Sequence, residues 1–477
     1  MGQEIEHSLF EQRDFEQFHS HLGDETRYLD NLIRNNALST QGMVAGFEIE
    51  AWLVDRNMQP APDNEAFLKR LNSPLACAEL ARFNIEINNR PVTLTGRALG
   101  TLSQGLEQIV GSVLQTAKAM NLGLLMIGTL PTLHQNRLTL RNMSNLNRFR
   151  ALNEQIFRAR EGKPIHIDIG GHEHLKIEHH DVMLEAAATS FQVHLQTPFD
   201  SAHQYYNAAI MASAPCVAVS ANAPYLFNRD LWAETRIPLF EQAVEVGGYN
   251  SVSHGPLRRV SFGSGYAHKS IMECFSENLE HFPILLPVQF GSGAEKMEYL
   301  RLHNGTIWRW NRPLVGFDDN GTPHIRIENR VIPAGPSLLD MMANAAFFYG
   351  LTNYLKLEKV DPEPILPFHL AKDNFYQSSR YGLDTTITWL AGEKVRLKEL
   401  FLSELIPQAM TGLERLGLCK VEAAQHMEII QQRVESNRNG AVWQRLYAKN
   451  HHRDLRAMTT AYHTNQWSGE PVHQWTV

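Results

Sequence analysis

A β-strand with two different faces is predicted by the stretch GFEIEAWLVD, residues 46–55. Side chains alternate between the faces of a strand, so Phe47 and Ile49 fall on one side while Glu48 and Glu50 fall on the other. Two carboxylates on one face of an otherwise apolar strand need a physical explanation, because like charges side by side destabilise a sheet.

Three further stretches repeat this pattern of one apolar and one ionisable or amide face. They are FNIEIN with Glu86, SFQVHLQ with His194, and HIRIENRV with Glu328 and Arg330. Half-exposed antiparallel strands usually turn such a face to solvent. Solvent faces favour Lys, Ser and Thr, however, whereas the cationic residue of these runs is Arg rather than Lys. If the four strands are neighbours, their carboxylates lie close together, and a divalent cation between them would remove the repulsion.

Carboxylate ligands with one imidazole favour Mg²⁺ or Mn²⁺. Magnesium shares its coordination positions between carboxylates, waters and substrate phosphates, which indicates a nucleotide. Arg330 lies two residues after Glu328 and therefore on the same strand face, where it could neutralise a transferring phosphoryl group. The sequence lacks the P-loop, the Rossmann glycine fingerprint, the GxSxG elbow and the HExxH pair, which disfavours the usual nucleotide, serine hydrolase and zinc protease sites.

The strands and turns predict an α+β fold, an antiparallel sheet covered by helices. Apolar residues at helical spacing predict helices within residues 10–34 and 102–117, and Asn304-Gly305 predicts a tight hairpin turn. From Pro336 onward the pattern is helical. We therefore expect a catalytic domain over residues 1–360 and a helical C-terminal region over 361–477.

Composition narrows the class of partner. A formal charge of -7 gives no field that would collect nucleic acid, so we expect that neither DNA nor RNA is a partner. No stretch has the length of an apolar membrane span and the N-terminus lacks the features of a leader, which predicts a cytoplasmic protein. The four cysteines form no CxxC pair and are expected to be reduced.

Two other features have an ordinary structural interpretation and a functional one. The segment IHIDIGGHEHLKIEHHD, residues 165–181, is rich in histidine and could hold a transition metal, but its alternation predicts a hairpin with outward histidines. The loop FGSGY, residues 262–266, follows Arg258 and Arg259 and could contact phosphate, although short Gly-Ser turns are common.

Taken in order, GFEIE, ELARFNIEIN, SFQVH and RIENRVIPAGPSLLD resemble motifs of the glutamate-cysteine ligase family and its bacterial carboxylate-amine ligase relatives. The resemblance covers residues 40–355 and implies the glutamine-synthetase-type catalytic fold, an antiparallel sheet that curves around MgATP. It also implies a reaction in which ATP phosphorylates the side-chain carboxylate of glutamate before an amine attacks. The products would be an amide, ADP and phosphate.

The resemblance implies roles for individual residues. The family's phosphate-binding arginine falls on Arg330, and an arginine that can clamp a substrate carboxylate falls on Arg236. Trp308 could stack an adenine ring, but a structural aromatic pair with Trp310 would look the same. The family's metal ligands fall on Glu48, Glu50, Glu79, Glu86, His194 and Glu328.

The sequence thus predicts an ATP- and magnesium-dependent carboxylate-amine ligase that acts on an amino acid and an amine, and it leaves the amine unidentified. A phosphotransferase on the same scaffold and a non-enzymatic nucleotide sensor are the alternatives. The many metal ligands beside a phosphate-binding arginine favour the enzyme. A homo-oligomer is compatible with the sequence, and the C-terminal region could shape either an interface or the acceptor site.

Overall fold

The computed structural model describes residues 4–5, 9–246, 258–357 and 362–477. The predicted boundary between residues 360 and 361 lies outside these described residues. The strands are β1 Val44–Val54, β2 Ala76–Ala78, β3 Asn84–Asn88, β4 Val92–Thr93, β5 Gly123–Leu125, β6 Ile165–Gly170, β7 His174–His179, β8 Phe191–Thr197, β9 Tyr225–Leu226, β10 Arg229–Asp230, β11 Val260–Ser261, β12 Trp308–Arg309, β13 Asn311–Phe317, β14 Pro323–Asn329, β15 Thr386–Thr388 and β16 Lys394–Arg396.

The helices carry the longest predicted periodic segments, including the first helix and the one that follows Pro336. They are α1 Gln12–Arg34, α2 Asn64–Leu71, α3 Ala98–Ala119, α4 Asn147–Ala159, α5 Ala202–Ser220, α6 Arg236–Ala243, α7 Met272–His281, α8 Glu298–Gly305, α9 Leu338–Leu357, α10 Pro362–Ile365, α11 Phe368–Tyr381, α12 Leu397–Leu400, α13 Ile406–Arg415, α14 Lys420–Glu435, α15 Gly440–Asn450 and α16 Leu455–Gln466.

The central sheet is antiparallel and has the strand order β13-β14-β8-β1-β3-β2, with β4 and β5 pairing with the ends of β1. The four strands predicted to share an ionisable face are therefore consecutive neighbours: β14, β8, β1 and β3. Glu50 lies opposite Glu86, and Glu328 lies opposite His194. Residues opposite each other in an antiparallel pair point to the same face, so the register brings the four polar faces together.

The apolar face of this sheet packs on helices. Phe47, Ile49, Ile327 and Leu195 are almost completely buried there. Helix α5 is buried from end to end except at its first turn and contacts β13 and β14, and α9 packs beside it against β8. These are the apolar contacts that hold the sheet and so fix the positions of the side chains on the opposite face.

The C-terminal helices form a further layer on α9. Helices α13 and α14 both pack against it, and a Cβ atom added at Gly350 of α9 or at Gly412 of α13 would collide with the backbone of the other helix. The buried ion pair between Arg433 and Asp340 joins α14 to α9 at 2.7 Å. A single hydrophobic cluster runs from the sheet into this layer.

The α+β prediction is confirmed, but the predicted hairpin at Asn304-Gly305 is wrong. These two residues end helix α8, whose buried side chains Tyr299, Leu300 and His303 have helical spacing. The later pair Asn320-Gly321 does lie in a hairpin turn, between β13 and β14, and Gly321 has φ +83°. Among the described helices, none is both long enough and apolar enough to cross a bilayer.

Candidate active site

The polar face of the sheet carries arginine at one side and carboxylates at the other. Arg312 of β13 lies opposite Glu328 of β14, which lies opposite His194 of β8. Further along the face, Glu50 of β1 lies opposite Glu86 of β3. Across these five hydrogen-bonded strands, an arginine and a carboxylate are paired at the β13 side, and two carboxylates lie opposite each other at the β3 side. Because no solvent face needs so many buried charges, this arrangement indicates a binding site.

A cavity of about 350 Å³ lies over this face. Helix α4 contributes Arg148 and Phe149 to its wall, and α8 contributes Arg301 and Leu302. Of the residues predicted from the sequence, four line the cavity directly: Glu48, Glu79, Glu328 and Trp308. The other predicted residues lie on or behind the same face without lining the cavity: Glu50, Glu86, His194, Arg330 and Arg236.

Glu328 is clamped by two arginines. Its Oε2 accepts hydrogen bonds from Arg312 Nε at 3.0 Å and Nη2 at 2.7 Å, and its Oε1 accepts one from Arg330 Nη1. All three side chains are at least 95 % buried. Burial alone would raise the pKa of Glu328, but the two guanidinium groups lower it well below its usual range. Glu328 is thus an ionised carboxylate that orients two cations.

Four carboxylates form the opposite half of the site. Burial raises the pKa of Glu79 well above its usual range, and the neighbouring charges of Glu86, Glu50 and Glu185 raise it further. Burial likewise raises the pKa of Glu50 and Glu86, and it raises that of Glu185 to about 8. Such mutual repulsion between buried carboxylates is relieved either by protons or by a cation.

The backbone and side chains of β8 hold Glu50 in place. Ser190 N donates to its Oε2 at 2.7 Å, and Gln192 Nε2 donates to its Oε1 at 2.8 Å. Glu48, two residues earlier on the strand, makes no such bonds with the part of the chain that the structure describes, and its Oε1 lies 3.4 Å from His194 Nε2. Glu48 is thus the carboxylate of β1 that is open to a ligand.

The tautomer of His194 is determined by Arg326. Arg326 Nε donates to His194 Nδ1 at 3.2 Å, so Nδ1 accepts and the neutral ring carries its proton on Nε2. Burial also lowers the pKa of His194, which favours this neutral form. In this arrangement Nε2 carries the proton and makes no hydrogen bond to the described residues, with Glu48 Oε1 at 3.4 Å. Ligation of a metal by Nε2 would require the other tautomer and therefore the release of the contact with Arg326.

The chemistry of the face fits a hydrated divalent cation. The buried atoms without a hydrogen-bond partner include both amide atoms of Asn84, Oε1 of Gln192 and Nε2 of His194, all on this face. Within the described parts of the chain, no three His, Cys, Asp or Glu side chains form a complete metal centre. The unpartnered oxygens of Asn84 and Gln192, on a face that also carries carboxylates, are acceptors that the waters of a hydrated divalent cation could use.

Two of the three guanidinium nitrogens of Arg236 already donate hydrogen bonds to other residues of the protein. Its Nε donates to Glu234 at 3.1 Å, and its Nη2 donates to the carbonyls of Arg330 and Val331 at 3.1 and 2.7 Å. Only Nη1 has no hydrogen bond to the described residues. A bidentate clamp on a substrate carboxylate would have to break these contacts, so the predicted role is reduced to a single donor. Arg236 also fixes the backbone that carries Arg330.

The two tryptophans are placed differently. Trp308 is half-buried and lines the cavity, with the ring of Phe240 at 6.2 Å and tilted by 59°. Trp310 is fully buried, and its Nε1 donates to Glu241 at 2.8 Å. Trp308 is therefore available for stacking on a ligand, whereas Trp310 is a packing residue.

The histidine-rich segment forms the predicted hairpin, β6 and β7, with its isoleucines inward. Its histidines lie beside separate carboxylates: His174 beside Asp168 at 2.7 Å and His179 beside Asp181 at 2.7 Å. No cluster of metal-binding side chains occurs there among the described residues.

Two residues of the site were not predicted from the sequence. The register of the β13–β14 hairpin places Arg312 opposite Glu328. The second Asn-Gly pair, in the turn of this hairpin, could have predicted that register from the sequence. Glu185 lies in the short 3₁₀ helix Val182–Ala187 beside the first strand residues of β8. The sequence signal for Glu185 was its position as an isolated glutamate in the otherwise apolar run VMLEAAA.

Comparison with known proteins identifies the fold. No family model and no curated protein matches the sequence. A glutamate-cysteine ligase from Francisella tularensis, solved in complex with AMP, is similar with a TM-score of 0.57 and 12% identity over 91% of both chains. A bifunctional glutathione synthetase from Pasteurella multocida gives 0.57 and 11%, over 93% of this chain and 55% of that one. This chain thus spans about half of the second protein. The chain has the fold of glutamate-cysteine ligase, as the motifs predicted.

Proposed function

We propose that this protein is an ATP-dependent carboxylate-amine ligase. The observation that carries the proposal is the division of one cavity-lining face into an arginine half around Glu328 and a carboxylate half around Glu79. Phosphoryl transfer requires both: cations that balance the charge on the transferring group, and oxygen ligands for the cation that accompanies the triphosphate. The fold shared with a ligase solved with AMP supports the same class.

The reaction would proceed in two steps. A carboxylate oxygen of the substrate attacks the γ-phosphorus of ATP, the bond to the β-phosphate oxygen breaks, and ADP leaves. The amine nitrogen then attacks the acyl carbon, the bond to the phosphate oxygen breaks, and the amine loses a proton as phosphate departs. Arg312 and Arg330 would balance the charge that develops on the transferring phosphoryl group, and Glu328 keeps their guanidinium groups in position.

A divalent cation, held by Glu48 and Glu79 of the cavity wall together with waters, would neutralise the triphosphate when bound. Other side chains of the cavity would bind the adenine, the phosphates and the substrate carboxylate. Trp308, exposed to the cavity, would stack on the adenine, and Arg148 and Arg301 border the space for the phosphates or the substrate carboxylate. Glutamate as the carboxylate substrate rests on the resemblance of the motifs alone.

The test is an ADP assay with purified protein, MgATP, L-glutamate and a panel of amines that includes ammonia and L-cysteine. We expect ADP release that depends on both glutamate and one amine. Mass spectrometry should find a product that weighs one water less than its two parts. A phosphorylated acceptor without condensation would establish a phosphotransferase, and binding of ATP without consumption for any substrate pair would establish a sensor. Either result would refute the ligase.

A further inference from the structure

A second cavity lies on the other side of β12 from the candidate active site. Trp308 lines the first cavity, whereas the next residue, Arg309, points to the opposite side and lines the second. The second cavity has a volume of about 270 Å³. Its described lining comes from α6, β11 and the FGSGY loop, α7, and α11, and includes Glu241, Ser264, Glu277 and Lys372.

Glu241 is an unusual residue for a cavity wall, because its carboxylate is buried without an ion pair. The residue is 8% exposed. Its Oε1 accepts two hydrogen bonds from neutral donors, Trp310 Nε1 at 2.8 Å and Tyr376 hydroxyl at 2.7 Å. Its Oε2 has no hydrogen bond and no cation within ion-pair distance among the described residues. An unpaired carboxylate held this far from solvent is costly unless something occupies it.

Cations line the other part of the same cavity. Lys372 is exposed and makes no ion pair with the described residues, and Arg258 is only loosely paired, with its Nε 3.6 Å from Glu245 Oε1. Arg309 differs, because Glu277 neutralises it at 2.7 Å. The groups left for a ligand are therefore one carboxylate oxygen, Oε2 of Glu241, and the two exposed cationic side chains of Lys372 and Arg258.

This charge pattern distinguishes between ligand classes. The FGSGY loop with Arg258 suggested a phosphate site, but an anion entering the cavity would meet the carboxylate of Glu241, which has no ion pair with the described residues. A simple cation would meet Arg258 and Lys372. A small zwitterion satisfies both ends: an ammonium group donates to Glu241 Oε2, and a carboxylate faces Lys372 and Arg258.

We propose that this second cavity binds a free α-amino acid, with Glu241 as the residue that recognises its ammonium group. The volume suits a small amino acid, and Val260 with Phe282 gives its side chain an apolar wall. The proposal is independent of the ligase activity, because the site shares no lining residue with the first cavity.

The experiment is calorimetric titration of the ATP-free and metal-free protein with each of the twenty standard L-amino acids. Acetate, methylamine and inorganic phosphate serve as probes that carry one kind of charge. We expect saturable binding of at least one amino acid and none of the three probes. Glu241→Gln should weaken that binding by about tenfold or more, because a hydrogen bond to a charged group is lost. Lys372→Met, at an exposed position, should weaken it by about two- to fivefold.

Two controls locate the binding. Lys449→Met changes an exposed lysine on α15, away from this cavity, and should leave the affinity unchanged. Arg301→Met alters the part of the first cavity assigned to the substrate carboxylate and should also leave the affinity unchanged, so amino acid binding at the candidate active site is distinguishable. The proposal is overturned if no amino acid binds, if phosphate or acetate binds instead, or if Glu241→Gln leaves the affinity unchanged, whether or not Arg301→Met lowers it.

Discussion

Glu48 and Glu328 were both predicted to be metal ligands, but the structure gives them different surroundings. Glu328 is neutralised by Arg312 and Arg330, so its removal would leave two buried guanidinium groups without a counter-charge. Breaking a buried ion pair typically costs about 3–5 kcal/mol. Loss of activity in a Glu328 variant would therefore not separate catalysis from stability. Glu48 has no such partner and offers the cleaner test.

Glu48→Gln should leave the fold intact and lower the activity. We expect the free energy of unfolding to change by less than about 1 kcal/mol, because the 3.4 Å contact with His194 is the one ion-pair contact of Glu48 with the described residues and the loss of its charge also relieves the repulsion from Glu86. We expect MgATP-dependent turnover to fall by at least about 100-fold, since a metal ligand is lost. Chemical denaturation and the ADP assay measure the two effects. Normal turnover in this variant would remove Glu48 from the metal site.

The carboxylate half of the site predicts an unusual dependence of stability on pH. The pKa of Glu185 is raised to about 8, and those of Glu79, Glu50 and Glu86 are also raised. Between the unfolded pKa near 4.5 and the raised values, the folded protein binds more protons than the unfolded chain. Buried histidines of lowered pKa, such as His303 and His426, act in the opposite direction up to their unfolded pKa of 6.5. Stability should therefore fall as the pH rises from about 7 to about 8, where only the carboxylates lose protons on the folded side.

Thermal unfolding without metal measures this fall as a decrease in Tm. Added Mg²⁺ or Mn²⁺ should raise the Tm more at pH 8 than at pH 5.5, because the cation then replaces protons that have already left. Glu185→Gln should reduce the slope of Tm against pH. A metal-free Tm that stays constant from pH 7 to 8, with no added stability from either cation, would contradict the assignment of these carboxylates.

Among the secondary-structure elements, the strands themselves could be predicted from the sequence, but the order in which they pair in the sheet could not. Alternation along β1, β3, β8 and β14 assigned each side chain to a face, and that depends only on local geometry. The order of strands and the position of Glu185, which comes from a separate 3₁₀ segment, depend on contacts between residues far apart in sequence. The error at Asn304-Gly305 has the same origin: helix α8 is favoured by the burial of its apolar side, whereas the local turn signal favoured a hairpin.

Helices α9 and α14 show how the C-terminal layer is held. Arg433 Nη2 pairs with Asp340 Oδ1 at 2.7 Å, and both side chains are at most 1% exposed. Arg433→Met should lower the free energy of unfolding by about 3–5 kcal/mol, because Asp340 is left buried and unpaired. The double variant Arg433→Met with Asp340→Leu should recover part of that loss. Urea denaturation measures both, and equal losses in the single and double variants would show that the pair's charge is not what matters.

At the scale of the whole molecule, one hydrophobic cluster joins the sheet to the C-terminal helices. The sequence predicted a helical pattern from Pro336 onward and a C-terminal helical region that begins at residue 361. It could not predict the packing, because the faces that α13 and α14 present to α9 become defined only by the tertiary contacts, including the close approach of Gly350 and Gly412. The C-terminal layer supports α9, which in turn supports the sheet that carries the site.

The most direct test of the ligase assignment is the transfer of oxygen from the carboxylate substrate to phosphate. L-Glutamate labelled with ¹⁸O in its side-chain carboxylate is incubated with the protein, MgATP and the amine that releases ADP. Each amide formed should yield one inorganic phosphate that contains one ¹⁸O atom, because the carboxylate oxygen attacks phosphorus and leaves with it. Unlabelled phosphate together with an amide, or ADP release without any amide, would contradict the ligase assignment.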